Sequence, residues 1–233
     1  MFLDFIGEVH STYQPFIKEN EQLLKNIFNT IPKPYHPHPP FTLRFLSGDL
    51  GRTQVIILGQ DPYPNHLAAT GRCFEVGNLY AWNQPFRQVS LKNIVRALFH
   101  CYTGEGPYTP FSQVRREIEL GKFVLPAPDK LFASWEEQGV LLLNTSFTCE
   151  TGRPGSHYAI WEPFTKRLIA YICEKNPTAA WFLWGSWAQS FSPIITAGRQ
   201  YPSRHPMLCS PKYEDDFLKN PCFMETRDKI HWI

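Results

Sequence analysis

Val55-Ile56-Ile57-Leu58-Gly59-Gln60-Asp61-Pro62-Tyr63-Pro64 is the stretch on which the fold turns. Four apolar residues, three of them β-branched, read as a buried strand that ends at a glycine. A carboxylate, two prolines and a tyrosine then stand at the strand's carboxyl end, the edge where an open parallel α/β sheet binds ligands. Pro62 and Pro64 restrict the backbone on either side of Tyr63, so Asp61 and Tyr63 are expected in a stiff, preformed turn. Taken alone, the segment also fits an ordinary strand-ending turn with a solvated Asp.

Three further segments repeat the pattern. Val140-Leu141-Leu142-Leu143-Asn144-Thr145 is a second buried strand with an amide at its end. Ala180-Trp181-Phe182-Leu183-Trp184-Gly185-Ser186 is a third, running into a Gly-Ser turn. A shorter segment near Gln200–Ser203 leads to Arg204-His205-Pro206. Each strand thus delivers a polar group to the same kind of position: Asp61, Asn144, Ser186 and His205.

The ordered set GQDPY, LLLNT, WGSWAQ and HP resembles the uracil-DNA glycosylases of the cluster-free type, the first family of that superfamily. Gly71-Arg72-Cys73-Phe74, Val89-Ser90-Leu91-Lys92-Asn93-Ile94 and Trp161-Glu162-Pro163-Phe164-Thr165 extend the likeness, which runs from about Phe45 to the carboxyl terminus.

A chain of 233 residues with 43% hydrophobic content can bury a substantial core in a single domain, expected over 1–233. Strands alternate with helical candidates at Leu91–His100, Phe132–Gln138, Trp161–Lys175 and Trp187–Ala197, which predicts a three-layer α/β/α fold around a short parallel sheet of about four strands. Residues 1–44 are expected to hold an amphipathic helix, roughly Tyr13 to Asn29, and a Pro-rich connector, Ile31 to Pro40. The stretch 101–130, broken by Gly-Pro, Pro-Phe and Pro-Ala-Pro, reads as a surface insertion loop.

A net charge of +2 does not announce nucleic acid, but local phosphate contacts could come from Lys92, Arg153, Arg199, Arg204 and Lys212. Arg115 and Arg116 read as a solvated helix face. The six cysteines form no CxxC or other short metal spacing, which argues against zinc or an iron–sulfur cluster. Reduced thiols suit an intracellular protein, prokaryotic cytoplasm or a nucleus. Met1 to Val9 resembles neither a secretory signal nor a membrane span.

Excising uracil requires the base to leave the stack, a donor for the charge that develops on its O2, and a carboxylate near the cationic sugar; no metal or cofactor is needed. The resemblance implies Asp61 for positioning water and stabilising the sugar, and His205, as a neutral imidazole, for donating to O2. It implies Asn144 for pairing with O4 and N3, the Gln60 backbone at O2, Phe74 for stacking on the base, and Tyr63 for excluding a C5 methyl. Ser90, Ser186 and Ser210 match phosphate-gripping serines. A monomer acting on uracil-containing DNA, single- or double-stranded, follows from the resemblance; inhibitors and replication partners leave no mark in the sequence.

The chain departs from the family in its loops. His-Pro-Ser-Pro-Leu-Ser becomes His205-Pro206-Met207-Leu208-Cys209-Ser210, so the wedge leucine aligns with Cys209, and Leu208 or Met207 could take its place. Pro64 stands where histidine is usual, and Gln84-Pro85-Phe86-Arg87-Gln88-Val89-Ser90 is altered. These changes predict weaker action on duplexes than on single strands. The competing readings are a glycosylase for a modified pyrimidine and a uracil-DNA recognition module that does not cut. A small-molecule α/β enzyme would need a phosphate loop, and no GxGxxG or Walker motif is present.

Overall fold

The computed structural model describes residues 6–233; the expectation for Met1–Val9 falls largely outside that range. Four parallel strands, β1 (Val55–Gly59), β2 (Val140–Asn144), β3 (Ala180–Trp184) and β4 (Gln200–Ser203), form a sheet in the order β2-β1-β3-β4. Strands covered on both faces need no apolar–polar alternation, and every residue of β1, β2 and β3 is buried.

Alternate side chains feed two cores. Val55, Ile57, Val140, Leu142, Phe182 and Trp184 face one layer; Ile56, Leu58, Leu141, Leu143, Trp181 and Leu183 face the other. The first layer packs against α2 (Val89–Thr103) and α4 (Pro128–Glu137), the second against α1 (Gln14–Thr30) and α5 (Tyr158–Lys175). The result is the three-layer α/β/α arrangement. Among the described residues no helix is long and apolar enough to cross a membrane, and all six cysteines are free.

Two expectations change. The helix foreseen over Trp187–Ala197 stops after Ser186–Gln189 and gives way to a 3₁₀ turn at Ser192–Ile194. Pro193 lacks an N–H and crowds the preceding turn, so an α-helix cannot run through it. The stretch 101–130 is not a bare surface loop: it carries α3 (Phe111–Glu119), and Val114, Phe123 and Leu125 enter the first core. Arg115 and Arg116 lie on the outer side of α3, and Arg115 is 3.8 Å from Glu119. Gly104 ends α2 in the left-handed region (φ 74°), its N–H bonded to the His100 carbonyl. The Pro-rich connector adds Tyr35–His36 antiparallel to Cys149–Glu150.

Candidate active site

Because the strands are parallel, their carboxyl ends share one edge, and Gln60-Asp61, Asn144, Gly185-Ser186 and Arg204-His205 arrive there together. A chain of hydrogen bonds ties three of these ends: Trp187 Nε1 donates to Thr145 Oγ1 (2.8 Å), and Thr145 Oγ1 donates to the Gln60 carbonyl (2.8 Å). That carbonyl also accepts from the N–H of Thr145 and of Ser146.

A cavity of about 270 Å³ opens at this edge, lined by Gln60, Asp61, Tyr63, Phe74, Ser90, Asn144, His205 and Met207, among others. Seven of the expected site residues therefore share one pocket, together with one of the three wedge candidates. Ser186, Ser210, Leu208 and Cys209 lie outside its wall.

Asn144 is 2% exposed, and neither its Oδ1 nor its Nδ2 has a hydrogen-bond partner. A buried amide left unpaired costs about 1–3 kcal/mol. Gly59, its register partner on β1, makes room for it: a Cβ there would lie 2.7 Å from Asn144 Oδ1 and 2.5 Å from Cys73 Cβ.

Asp61 is half-buried, and its Oδ2 accepts the N–H of Gly155 at 2.5 Å. Burial pushes its carboxyl pKa above the ordinary 3.8, and the Gly155 bond opposes that rise. His205 packs on Gly185, whose left-handed backbone (φ 93°) carries no side chain into the ring. A Cβ at Gly185 would sit 2.9 Å from His205 Cβ. The Met207 N–H donates to His205 Nδ1 at 3.1 Å, so in the neutral ring the proton resides on Nε2. Burial lowers the imidazole pKa below 6.5.

Phe74 is the one non-glycine residue with a left-handed backbone (φ 63°) among those described. Its ring centroid lies 5.5 Å from Trp184 and 6.0 Å from His205. Tyr63 packs against the first core, and burial raises its hydroxyl pKa.

The loop after His205 sorts its three wedge candidates. Met207 and Leu208 are 55% and 59% exposed, whereas Cys209 turns inward, its Sγ 3.3 Å from the Pro206 carbonyl. Burial pushes the Cys209 thiol up to about 12. Asn93 Nδ2 holds the Pro206 carbonyl from behind at 2.5 Å, and the Ser210 N–H is bound by buried Asp216.

Of the basic candidates, Lys92 lies over the Phe86 ring at 5.0 Å, Arg153 pairs with Glu150 at 2.7 Å, and Arg204 pairs with Asp215 at 2.8 Å. Lys212 is exposed. Arg199 immediately precedes β4, so it lies at the opposite edge of the sheet and pairs with Glu225. Gly155 and Asn93 were not among the expected site residues. They meet Asp61 and Pro206 across 94 and 113 residues of chain, a distance no local pattern spans.

The sheet and pocket define an α/β/α protein with a small preformed site that presents a carboxylate, an imidazole and an amide with no protein partner. No family model matches the chain. It is 36% identical over 179 residues to a uracil-DNA glycosylase of Azotobacter vinelandii, covering 74% of this chain and 63% of that protein. It is 34% identical over 185 residues to a uracil-DNA glycosylase of Pseudomonas putida strain F1, covering 78% and 69% respectively. Among solved structures, the UNG of Nitratifractor salsuginis superposes with a TM-score of 0.71 at 20% identity, covering 89% of this chain and 87% of that one. Mimivirus uracil-DNA glycosylase gives 0.63 at 25% identity, covering 87% and 70%. The chain belongs to the uracil-DNA glycosylase family, and it spans just under two thirds of the Azotobacter relative's length.

Proposed function

We propose that the protein hydrolyses the N-glycosidic bond between uracil and deoxyribose in DNA and leaves an abasic site for base-excision repair. The observation that carries this reading is the unpaired Asn144 amide, buried in a cavity that also holds Asp61 and His205. A uracil edge supplies what the amide lacks: N3–H donates to Oδ1 and O4 accepts from Nδ2. Cytosine offers the reverse pattern and would leave both atoms unpaired.

The flipped base stacks on Phe74, with Tyr63 closing the space at C5. As the bond from C1′ to N1 breaks, the electron pair leaves with uracil, and His205 Nε2–H donates to the charge on O2. Asp61, ionised, faces the cationic sugar and orients water. The water's oxygen bonds to C1′, and its proton passes to the carboxylate. Ser90, Ser186 and Ser210 grip phosphates, contacts that set register without reading sequence.

Two measurable consequences arise here. Single-turnover rates should rise with pH over a range displaced upward from 3.8 as Asp61 ionises, then stay level above 6.5 because His205 is already neutral. A rate that instead falls as pH rises through the lowered His205 pKa, below 6.5, would mean that a cationic imidazole does the work. Stability shifts in the same direction for His205. Its folded pKa is depressed, so its contribution is present above 6.5 and lost as pH falls through the folded value.

The loop geometry favours Leu208 as the residue that enters the vacated stack, with Met207 at the pocket mouth. Leu208→Ala should slow uracil release from duplex about tenfold and from single strands hardly at all, because unstacking costs a few kcal/mol only in the duplex. Cys209→Ala should change neither; the opposite ranking would place the wedge at Cys209.

The deciding experiment is base release, in chelator, from matched single-stranded and duplex oligonucleotides carrying uracil, thymine or cytosine. Release of uracil alone supports the reading. Tight uracil-dependent binding without release would make the protein a recognition module.

A further inference from the structure

Phe74 holds a left-handed backbone that a bulky side chain adopts only when its surroundings impose it. The residues flanking Cys73 and Phe74 in the chain, Arg72 and Glu75, belong to a closed charge cluster. Arg72 Nη1 donates to both Glu75 oxygens, at 2.9 and 3.2 Å, so the pair links the two ends of the Arg72–Glu75 segment that contains Phe74. Arg72 Nε and Nη2 both donate to Glu136 Oε2 on α4, at 3.1 and 2.5 Å. Arg44 completes the cluster: its Nη1 donates to the Thr70 carbonyl at 3.0 Å, and its Nη2 lies 3.8 Å from Glu136. Gly71 (φ 86°) tucks against Phe41, where a Cβ would come within 2.1 Å of the Phe41 carbonyl.

The side chains of Arg72 and Glu75 are only 11% and 7% exposed. Two arginines and two carboxylates balance, so the cluster offers no net charge to DNA. All three nitrogens of the Arg72 guanidinium donate to carboxylates, Nη1 to Glu75 and Nε and Nη2 to Glu136, at a place where the residue also borders the cavity. Its planar fork bridges Glu75 and Glu136 together, which a lysine ammonium cannot reproduce.

We infer that Arg72 is a positioning residue for base recognition: by clasping Glu75 and Glu136 it holds the loop in the strained conformation that turns the Phe74 ring toward the pocket. The inference rests on the proposed uracil pocket. It concerns base affinity and leaves the grip on the DNA backbone untouched.

The test is a pair of binding measurements on the full chain, one with free uracil and one with a duplex carrying a tetrahydrofuran abasic-site analogue, which has no base. Arg72→Met should weaken uracil binding about tenfold, within the ~5- to 150-fold that one stacked base contributes, and shift the abasic duplex by less than about twofold. Arg72→Lys should fall between, and it carries the test if Arg72→Met does not fold. In a Phe74→Ala background Arg72→Met should cost no further uracil affinity, since both changes remove the same interaction. Unchanged uracil affinity, equal losses for both ligands, or additive losses in the Phe74→Ala background would each overturn the inference. Wild-type protein that binds the abasic duplex but not uracil would overturn the base-pocket reading and this inference with it.

Discussion

Asn144→Leu is expected to make the protein more stable and to abolish its discrimination for uracil. The amide is buried at the end of β2, where no protein group pairs with either polar atom. Leucine has the same branched outline and no polar atoms, so it removes an unmet desolvation penalty of about 1–3 kcal/mol. For a chain of this size each kcal/mol raises the melting temperature by ~2–4 °C. The same change deletes the donor and acceptor that would read N3 and O4. A site built to hydrogen-bond its ligand discriminates by ~10⁴–10⁵ through those bonds, so uracil release should fall by about that factor. Thermal unfolding and single-turnover release, measured on one preparation, check both halves. A lower melting temperature would mean that the amide has a partner in the free protein. Retained release would remove it from base recognition.

The second large effect is expected at Asp61 and His205. Asp61→Asn keeps an oxygen that can accept the Gly155 N–H, so the loop should hold its shape while the charge is lost. Release should drop ~10²–10⁴-fold, the range for a group that stabilises charge or moves a proton in the transition state. Affinity for uracil-containing DNA should stay level or rise, since no phosphate contact is touched. His205→Ala removes the donor to O2 and also the acceptor of the Met207 N–H. His205→Asn, whose carbonyl can still accept that N–H, separates the chemical role from the loop anchor. A loss in both variants places the defect in the chemistry, and rescue by Asn places it in the loop. Binding that falls together with release in Asp61→Asn would make the carboxylate a binding group.

Substitution of neither residue addresses duplex preference, which belongs to the loop at Met207 and Leu208. Both apolar side chains stand exposed at its tip, an arrangement that costs solvation in the free protein and suits insertion into a stack. The inward turn of Cys209 follows from its packing against the first core and its contact with the Pro206 carbonyl.

Much of this molecule is written locally in the chain. The apolar runs at Val55, Val140 and Ala180 are complete strands, because a strand buried on both faces must be apolar at successive positions. Parallel strands share one carboxyl edge, so Asp61, Asn144 and His205 could be placed together from their positions in the chain alone. What escaped local reading depends on contacts between distant segments. Val114, Phe123 and Leu125 draw 101–130 into the core although its prolines and glycines read as a loop. The Gly155 N–H reaches Asp61 across 94 residues. The left-handed backbone of Phe74 has no signature in its own residue type, and the Arg72, Glu75 and Glu136 ion pairs that close its segment join two separate parts of the chain. The sheet, its site edge and the polar groups carried there are legible in the chain, since each depends on short-range patterns of burial and on strand direction. That the Asn144 amide finds no protein partner, that Phe74 takes a left-handed backbone and that Cys209 faces inward are set by packing between distant segments, and no local pattern carries them.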